Sequence, residues 1–331
     1  MNRFAIARPR SYEDATTLLG DDRYSLPVLK AGGMDIVDHI KEGLMSPDLL
    51  VDVRRLGNRA DGGISLEGGR IRIEASTVLA DLANSTIIRE NAPALAQSAA
   101  SAATPQVRNV ASVAGNLLQR PRCWYYRNET FHCLKKGGYM CYAVEGENEY
   151  HAIFGEGPCH IVHPSNIAPL LAIANGHVHL TGGERDRLPV AELFHMPDSG
   201  IRSEHELEAG EIVTHVTLDP APTSGFYAVK AKQSFDWPLV FAVATLDLDG
   251  STIRSAKVCA GAVAPVPWPL PKVAERLRGV SVDDEAGLTA ACAGAADGAR
   301  PMRDNAYKTK LLPVAVRRAV RIAAGRSEVT A

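Results

Sequence analysis

Two short stretches do most to limit how this chain can fold: "LKAGGMDI" at residues 29–36 and "SVAGNL" at 112–117. The first follows an apolar run, "LPVLKAG", and opens one with helical spacing, "GMDIVDHIKEG". At such a strand-to-helix turn, successive glycine amides and a helix N-terminus together favour an anion. The second stretch follows "TPQVRN" and has the same character. One nest suits one phosphate, and two turns brought together suit a pyrophosphate. Taken locally, each is equally an ordinary turn, because Gly-Gly turns are common. Neither is a Rossmann fingerprint: the nearest G-x-G, "GEGPCH" at 155–160, ends in His where the third glycine belongs. The chain has no Gly-Lys pair, which excludes a P-loop.

The rest of the N-terminal part reads as α/β. A helix is expected over "YEDATTLLG" (12–20), ending at Gly20, and strands over "LPVLKAG" (26–32) and "DLLVDVRRL" (48–56). "GISLEGGRIRIEA" (63–75) reads as two alternating strands joined by a Gly-Gly turn. The Ala-rich stretch 76–103 predicts two helical segments, "HPSNIAPLLAIANG" (163–176) a helix, and "HVHLTGGERDRLPV" (177–190) a hairpin. From about 222 the pattern predicts a three-stranded antiparallel sheet with an Asp-Gly turn. "VPWPLP" (266–271) then reads as a Pro-rich connector, followed by helices ending in "YKTKLLPVAVRRAVRIAAG" (307–325).

At 331 residues the chain can hold two or three domains with real cores. A net charge of −2 provides no global field for nucleic acid or an anionic membrane, so neither is expected as a partner. The first 20 residues carry no signal-peptide run, and no stretch approaches the ~18 apolar residues of a membrane helix. The expected compartment is the cytoplasm, or the periplasm if a signal-bearing partner carries the chain there.

Four of the six cysteines, Cys123, Cys133, Cys141 and Cys159, follow the second turn with spacing C-x9-C-x7-C-x17-C. No close knuckle of the structural-zinc kind is present. Four thiolates can ligate an iron–sulfur cluster, and Arg120, Arg122, Arg127, Lys135 and Lys136 would offset its charge. By spacing alone, a cluster, zinc and unligated thiols all stay open. Cys259 and Cys292 sit between apolar neighbours and read as buried thiols. His177 and His179 alternate on an expected strand without a third ligand, so they read as strand residues.

"KAGGMDI", "TPQVRNVASVAGNLLQRPRCWYYR", "HPSNIAP" and "AYKTKLLPVAVRRAV" occur in the order found in one family. The chain resembles the medium, FAD-binding subunit of molybdenum hydroxylases, the xanthine dehydrogenase and aldehyde oxidoreductase group. Its four cysteines resemble those of the subgroup with an extra 4Fe-4S cluster. The resemblance implies an α+β chain. Residues 1–222 would be a PCMH-type (vanillyl-alcohol-oxidase-like) FAD domain of two α/β subdomains, with a cysteine-rich insertion at about 119–162. Residues 223–331 would be a flavoprotein C-terminal domain. It implies that Leu29, Lys30, Ala31, Gly32, Gly33, Met34, Asp35 and Ile36 hold FAD from one side. Ser112, Val113, Ala114, Gly115 and Asn116 would hold it from the other, with Thr104, Asn166, Val213 and Lys230 in contact. Met34 stands where a Thr is usual, and Asn166 where an Asp is. Cys123, Cys133, Cys141 and Cys159 would ligate the cluster.

The implied function is electron transfer, with no catalytic residue in this chain. A large molybdopterin-binding subunit would oxidise an aldehyde or an N-heterocycle such as a purine, and a small subunit with two 2Fe-2S clusters would pass electrons here. FAD would deliver them to an external acceptor. The alternatives are a 4-hydroxybenzoyl-CoA reductase-like subunit with reversed flow, and a zinc-stabilised scaffold without flavin.

Overall fold

A computed structural model describes residues 3–58 and 60–326; the last five residues of the expected C-terminal domain lie outside this range. Three sheets organise the chain. The first is parallel, with Leu49–Asp52 between Ala5–Ala7 and Pro27–Lys30. All four central residues are buried, as a strand covered on both faces requires. Pro27 lacks a donor and starts an edge strand, where that loss costs little. Helix Tyr12–Leu19 makes the crossover between two of these strands, and Ser11 accepts the Asp14 amide at its N-cap.

The second sheet has five strands in antiparallel pairs, in the order Ile64–Glu67, Arg70–Glu74, Ile212–Leu218, His177–Thr181, Arg187–Pro189. Three short helices pack against it, Leu79–Asn84, Thr86–Asn91 and Pro93–Ser101. The sequence predicts two. Ser85 ends the first and caps the second through the Ile88 amide, and Pro93 starts the third.

The third sheet carries four strands where the sequence predicts three: Ser224–Lys230, Pro238–Asp249 and Thr252–Gly261, plus Trp268–Pro269 from the Pro-rich connector. Helix Lys308–Ala323 lies on this sheet and buries Leu312, Ala315, Val316, Ala319 and Val320 against it. The C-terminal part is fastened to helix Pro93–Ser101: Gln97 Oε1 accepts the Phe226 amide at 3.0 Å, and Lys230 Nζ donates to the Ser101 carbonyl at 2.7 Å. The expected helix over 163–176 is reduced to Ala168–Ile173. Among the described residues no helix is long and apolar enough to cross a membrane.

Candidate functional site

The first glycine turn leaves strand Pro27–Lys30 and enters helix Ile36–Lys41. Gly33 has a φ of +85°, a conformation that favours glycine. Gly32 sits so close to the Val110 carbonyl that a Cβ would lie 1.9 Å from its oxygen. That contact brings the two predicted turns side by side. The amides of Gly32, Gly33 and Met34 have no hydrogen-bond partner among the described residues. They are open donors on the wall of a cavity of about 730 Å³.

The second turn is built differently from the expected nest. It is a short helix, Val113–Leu117, capped by Ser112. Its amides are spoken for: Val113 donates to Thr77 O, Ala114 to Ala75 O and Gly115 to Ser112 Oγ, at 2.8, 3.1 and 3.1 Å. This turn therefore shapes the cavity with its surface and offers no amide cradle. Thr104 likewise spends its hydroxyl capping Pro105–Arg108.

Of the residues assigned to the cofactor from sequence, Leu29, Ala31, Gly32, Gly33, Met34, Asp35 and Ile36 line the cavity, as do Thr104, Ser112, Ala114, Gly115, Asn116, Asn166 and Val213. Lys30, Val113 and Lys230 are not on its wall. Lys30 Nζ turns back to Ala31 O and Asp52, Val113 is buried in the core, and Lys230 Nζ is bound to Ser101 O. Asn166 is placed by its neighbour Ser165, whose hydroxyl donates to Asn116 Oδ1 at 2.7 Å.

The sequence reading missed what closes the cavity. Arg120, Arg122 and Arg127, expected to balance a cluster, face it instead. Arg122 and Arg127 meet Asp35 Oδ1 at 2.8 and 2.7 Å, and Arg120 meets Glu204 at 2.6 Å. Burial works against the Asp35 charge, but Arg122, the Arg120 amide and Arg127 outweigh it and hold the carboxyl below its usual range. His39 also lines the cavity, and burial pulls it down to about 4 despite Asp35 beside it. Phe235, Asp236 and Trp237 complete the rim, with the Arg122 guanidinium 5.3 Å from the Trp237 ring. The acidic partners of these arginines lie 84 and more positions away, beyond the reach of local pattern.

The four clustered cysteines do come together. Cys123, Cys133, Cys141 and Cys159 line one small cavity of about 20 Å³ with Tyr125, Tyr126, Tyr142 and His151. All are free thiols. Backbone amides of Tyr125 and Tyr126 point at the Cys123 sulfur, those of Ala143 and His160 at Cys141, and that of Ile161 at Cys159. Burial pushes Cys123 up to about 11. The contact between Cys141 and Cys159 lowers the first and raises the second. Among the described residues no group of three or more His, Cys, Asp or Glu side chains is placed to hold a metal ion. The expected metal centre is thus present as a gathering of thiols, not as a formed ligand set. Cys259 and Cys292 are buried, as expected.

A deep cavity between two glycine-bearing turns, closed by a separate α+β domain, is the architecture of a flavoprotein cofactor domain. Residues 2–221 match the family described as the FAD binding domain in molybdopterin dehydrogenase, and residues 225–323 match the CO dehydrogenase flavoprotein C-terminal domain. The chain belongs to this family of molybdopterin dehydrogenase FAD-binding domains. It is 33% identical to the aldehyde oxidoreductase FAD-binding subunit PaoB of Escherichia coli, over 72% of this chain and 75% of that one. It is 26% identical to the carbon monoxide dehydrogenase medium chain of Hydrogenophaga pseudoflava, over 98% of both. The solved carbon monoxide dehydrogenase of that organism shares the fold with a TM-score of 0.73 at 23% identity, over 99% of each chain. Quinoline 2-oxidoreductase from Pseudomonas putida 86 shares it with a TM-score of 0.73 at 19% identity, over 97% of each.

Proposed function

We propose that this chain is the FAD-binding, electron-transferring subunit of a molybdopterin-dependent hydroxylase that oxidises aldehydes or N-heterocycles. The observation that carries this reading is the row of three open amides, Gly32 to Met34, on the wall of a cavity large enough for an extended cofactor. Cavities of roughly 300–1,000 Å³ take small molecules and cofactors. The residues fit FAD: open amides suit its diphosphate, and Leu29, Leu79, Val213 and Trp237 offer apolar surface for its rings. When bound, FAD supplies reversible acceptance of two electrons. The chain's own part is to bind, orient and shield. Asp35, Glu42 and Glu204 pair the Arg122, Arg127 and Arg120 guanidiniums, so no buried cation is left uncompensated.

The gathered cysteines support a second cofactor, a 4Fe-4S cluster. Four cysteines line one space, and backbone amides near three of them would favour the thiolates that a cluster needs, against the burial that raises Cys123 and Cys159. The space has room for little more than a single water. Filling it must part the Cys141–Cys159 hydrogen bond. A large molybdopterin-binding subunit and a small 2Fe-2S subunit are the proposed partners, with an external electron acceptor.

The test is an anaerobic titration of the isolated chain, following flavin bleaching. Aldehydes and purines should leave the flavin oxidised, while dithionite should bleach it. Adding the two partner subunits should make it reducible by substrate. Bleaching by substrate without partners would place the hydroxylating site in this chain and overturn the reading.

A further inference from the structure

We propose that Asp35 is a positioning residue that couples the flavin cavity to the cysteine segment, acting through Arg120, Arg122 and Arg127. The proposal rests on the reading that FAD fills this cavity.

Asp35 stands at the N-cap of Ile36–Lys41, where an Asp side chain ordinarily accepts helix amides. Here it makes no capping bond. Both oxygens turn the other way. Oδ1 takes Arg122 Nη1 at 2.8 Å and Arg127 Nη2 at 2.7 Å, and Oδ2 takes the Arg120 amide at 2.8 Å. All three donors come from one eight-residue stretch that lines the same cavity. A residue expected to touch the cofactor has its carboxylate consumed by another part of the chain.

Those arginines lead into the cysteine cavity. The Arg127 amide donates to the Cys123 carbonyl at 2.9 Å, so Cys123 and Arg127 move as one turn. The Arg120 guanidinium lies 5.0 Å from the Tyr126 ring, which lines the cysteine cavity. Arg120 and Lys135, another residue lining that cavity, share Glu204, each at 2.6 Å. Asp35 follows directly on Gly32, Gly33 and Met34, whose amides face the flavin cavity. A ligand that fixes this turn fixes Asp35, and Asp35 fixes the arginines. This is a contiguous network of charge-assisted bonds between two cavities, and its coupling runs equally in both directions.

Hydrogen–deuterium exchange on the full chain, with and without added FAD, tests the coupling. FAD titration of the wild-type chain comes first; failure to bind would sink the cavity reading and this proposal with it. Given binding, FAD should slow exchange at 29–36 and also at 133–142, a segment that lines the cysteine cavity and not the flavin cavity, the latter by about fivefold or more, the lower end of ordinary couplings. In Asp35→Asn, saturating FAD should still protect 29–36 but no longer 133–142, and the Kd should rise about tenfold. Asp35→Glu should restore part of the protection. Should Asp35→Asn fail to fold, Arg127→Met removes one partner and should show the same loss in smaller degree. A merely structural role would lower melting temperature and leave the FAD-dependent protection at 133–142 intact. Full protection there in the folded variants, or none in the wild type that binds FAD, overturns the proposal.

Discussion

A Cβ on Gly32 would stand 1.9 Å from the Val110 carbonyl oxygen. The obstacle is backbone, so no rotamer change relieves it. Gly32→Ala should destabilise the chain by roughly 1–3 kcal/mol, the usual cost of overpacking, and weaken FAD binding more than tenfold. At Gly115 a Cβ would meet only Ser112 Oγ, at 2.9 Å, a hydroxyl that can turn aside. Gly115→Ala should therefore keep most of its flavin. Thermal melts and FAD fluorescence titrations of the two variants give the comparison, and equal behaviour would contradict it.

Iron analysis of anaerobically purified protein should give about four irons per chain, the content of a 4Fe-4S cluster. Cys141→Ser should lose the iron. Cys259→Ser should retain it, because Cys259 is buried in the core away from the thiol group. Zinc in place of iron would exclude the cluster.

Stability should fall in mild acid. His163 is buried, and neither ring nitrogen has a partner. Burial lowers it from 6.5 to about 3. The unfolded chain then binds a proton between those values that the folded chain refuses. The stabilisation is complete above pH 6.5 and is lost as pH drops through the window, at about 1.4 kcal/mol per pH unit for this ring. His39, lowered to about 4, and His215, lowered to about 3, both chiefly by burial, act in the same direction. Urea unfolding at pH 6 and pH 5 should show a steep drop for the wild type and a shallower one for His163→Leu. Parallel slopes would show that His163 is charged in the fold.

The local elements were legible because their signals are local. Pro27–Lys30 and Ile36–Lys41 flank a glycine turn, and Arg70–Glu74 alternates cleanly behind its Gly-Gly hairpin. The strand Trp268–Pro269 was not, because two residues, one of them a proline, have no period and pairing with Cys259 and Ala260 alone defines them. The four cysteines were read as one group and do share one cavity. Arg120, Arg122 and Arg127 were read with the cysteines; they line the larger cavity and reach the smaller one through Tyr126 and the Cys123 carbonyl. Their direction is set by Asp35, a partner distant in the chain, and no spacing within 120–127 encodes it.

In the proposed function the open amides of Gly32, Gly33 and Met34 hold FAD in the cavity between the two turns. Among the described residues no Cys lines this cavity, and its one histidine, His39, is buried in helix Ile36–Lys41. Acid precipitation of the purified chain tests this directly. One FAD per chain is expected, all of it in the supernatant, and none from Gly32→Val. Flavin retained on the precipitate, or full flavin content in Gly32→Val, would contradict it.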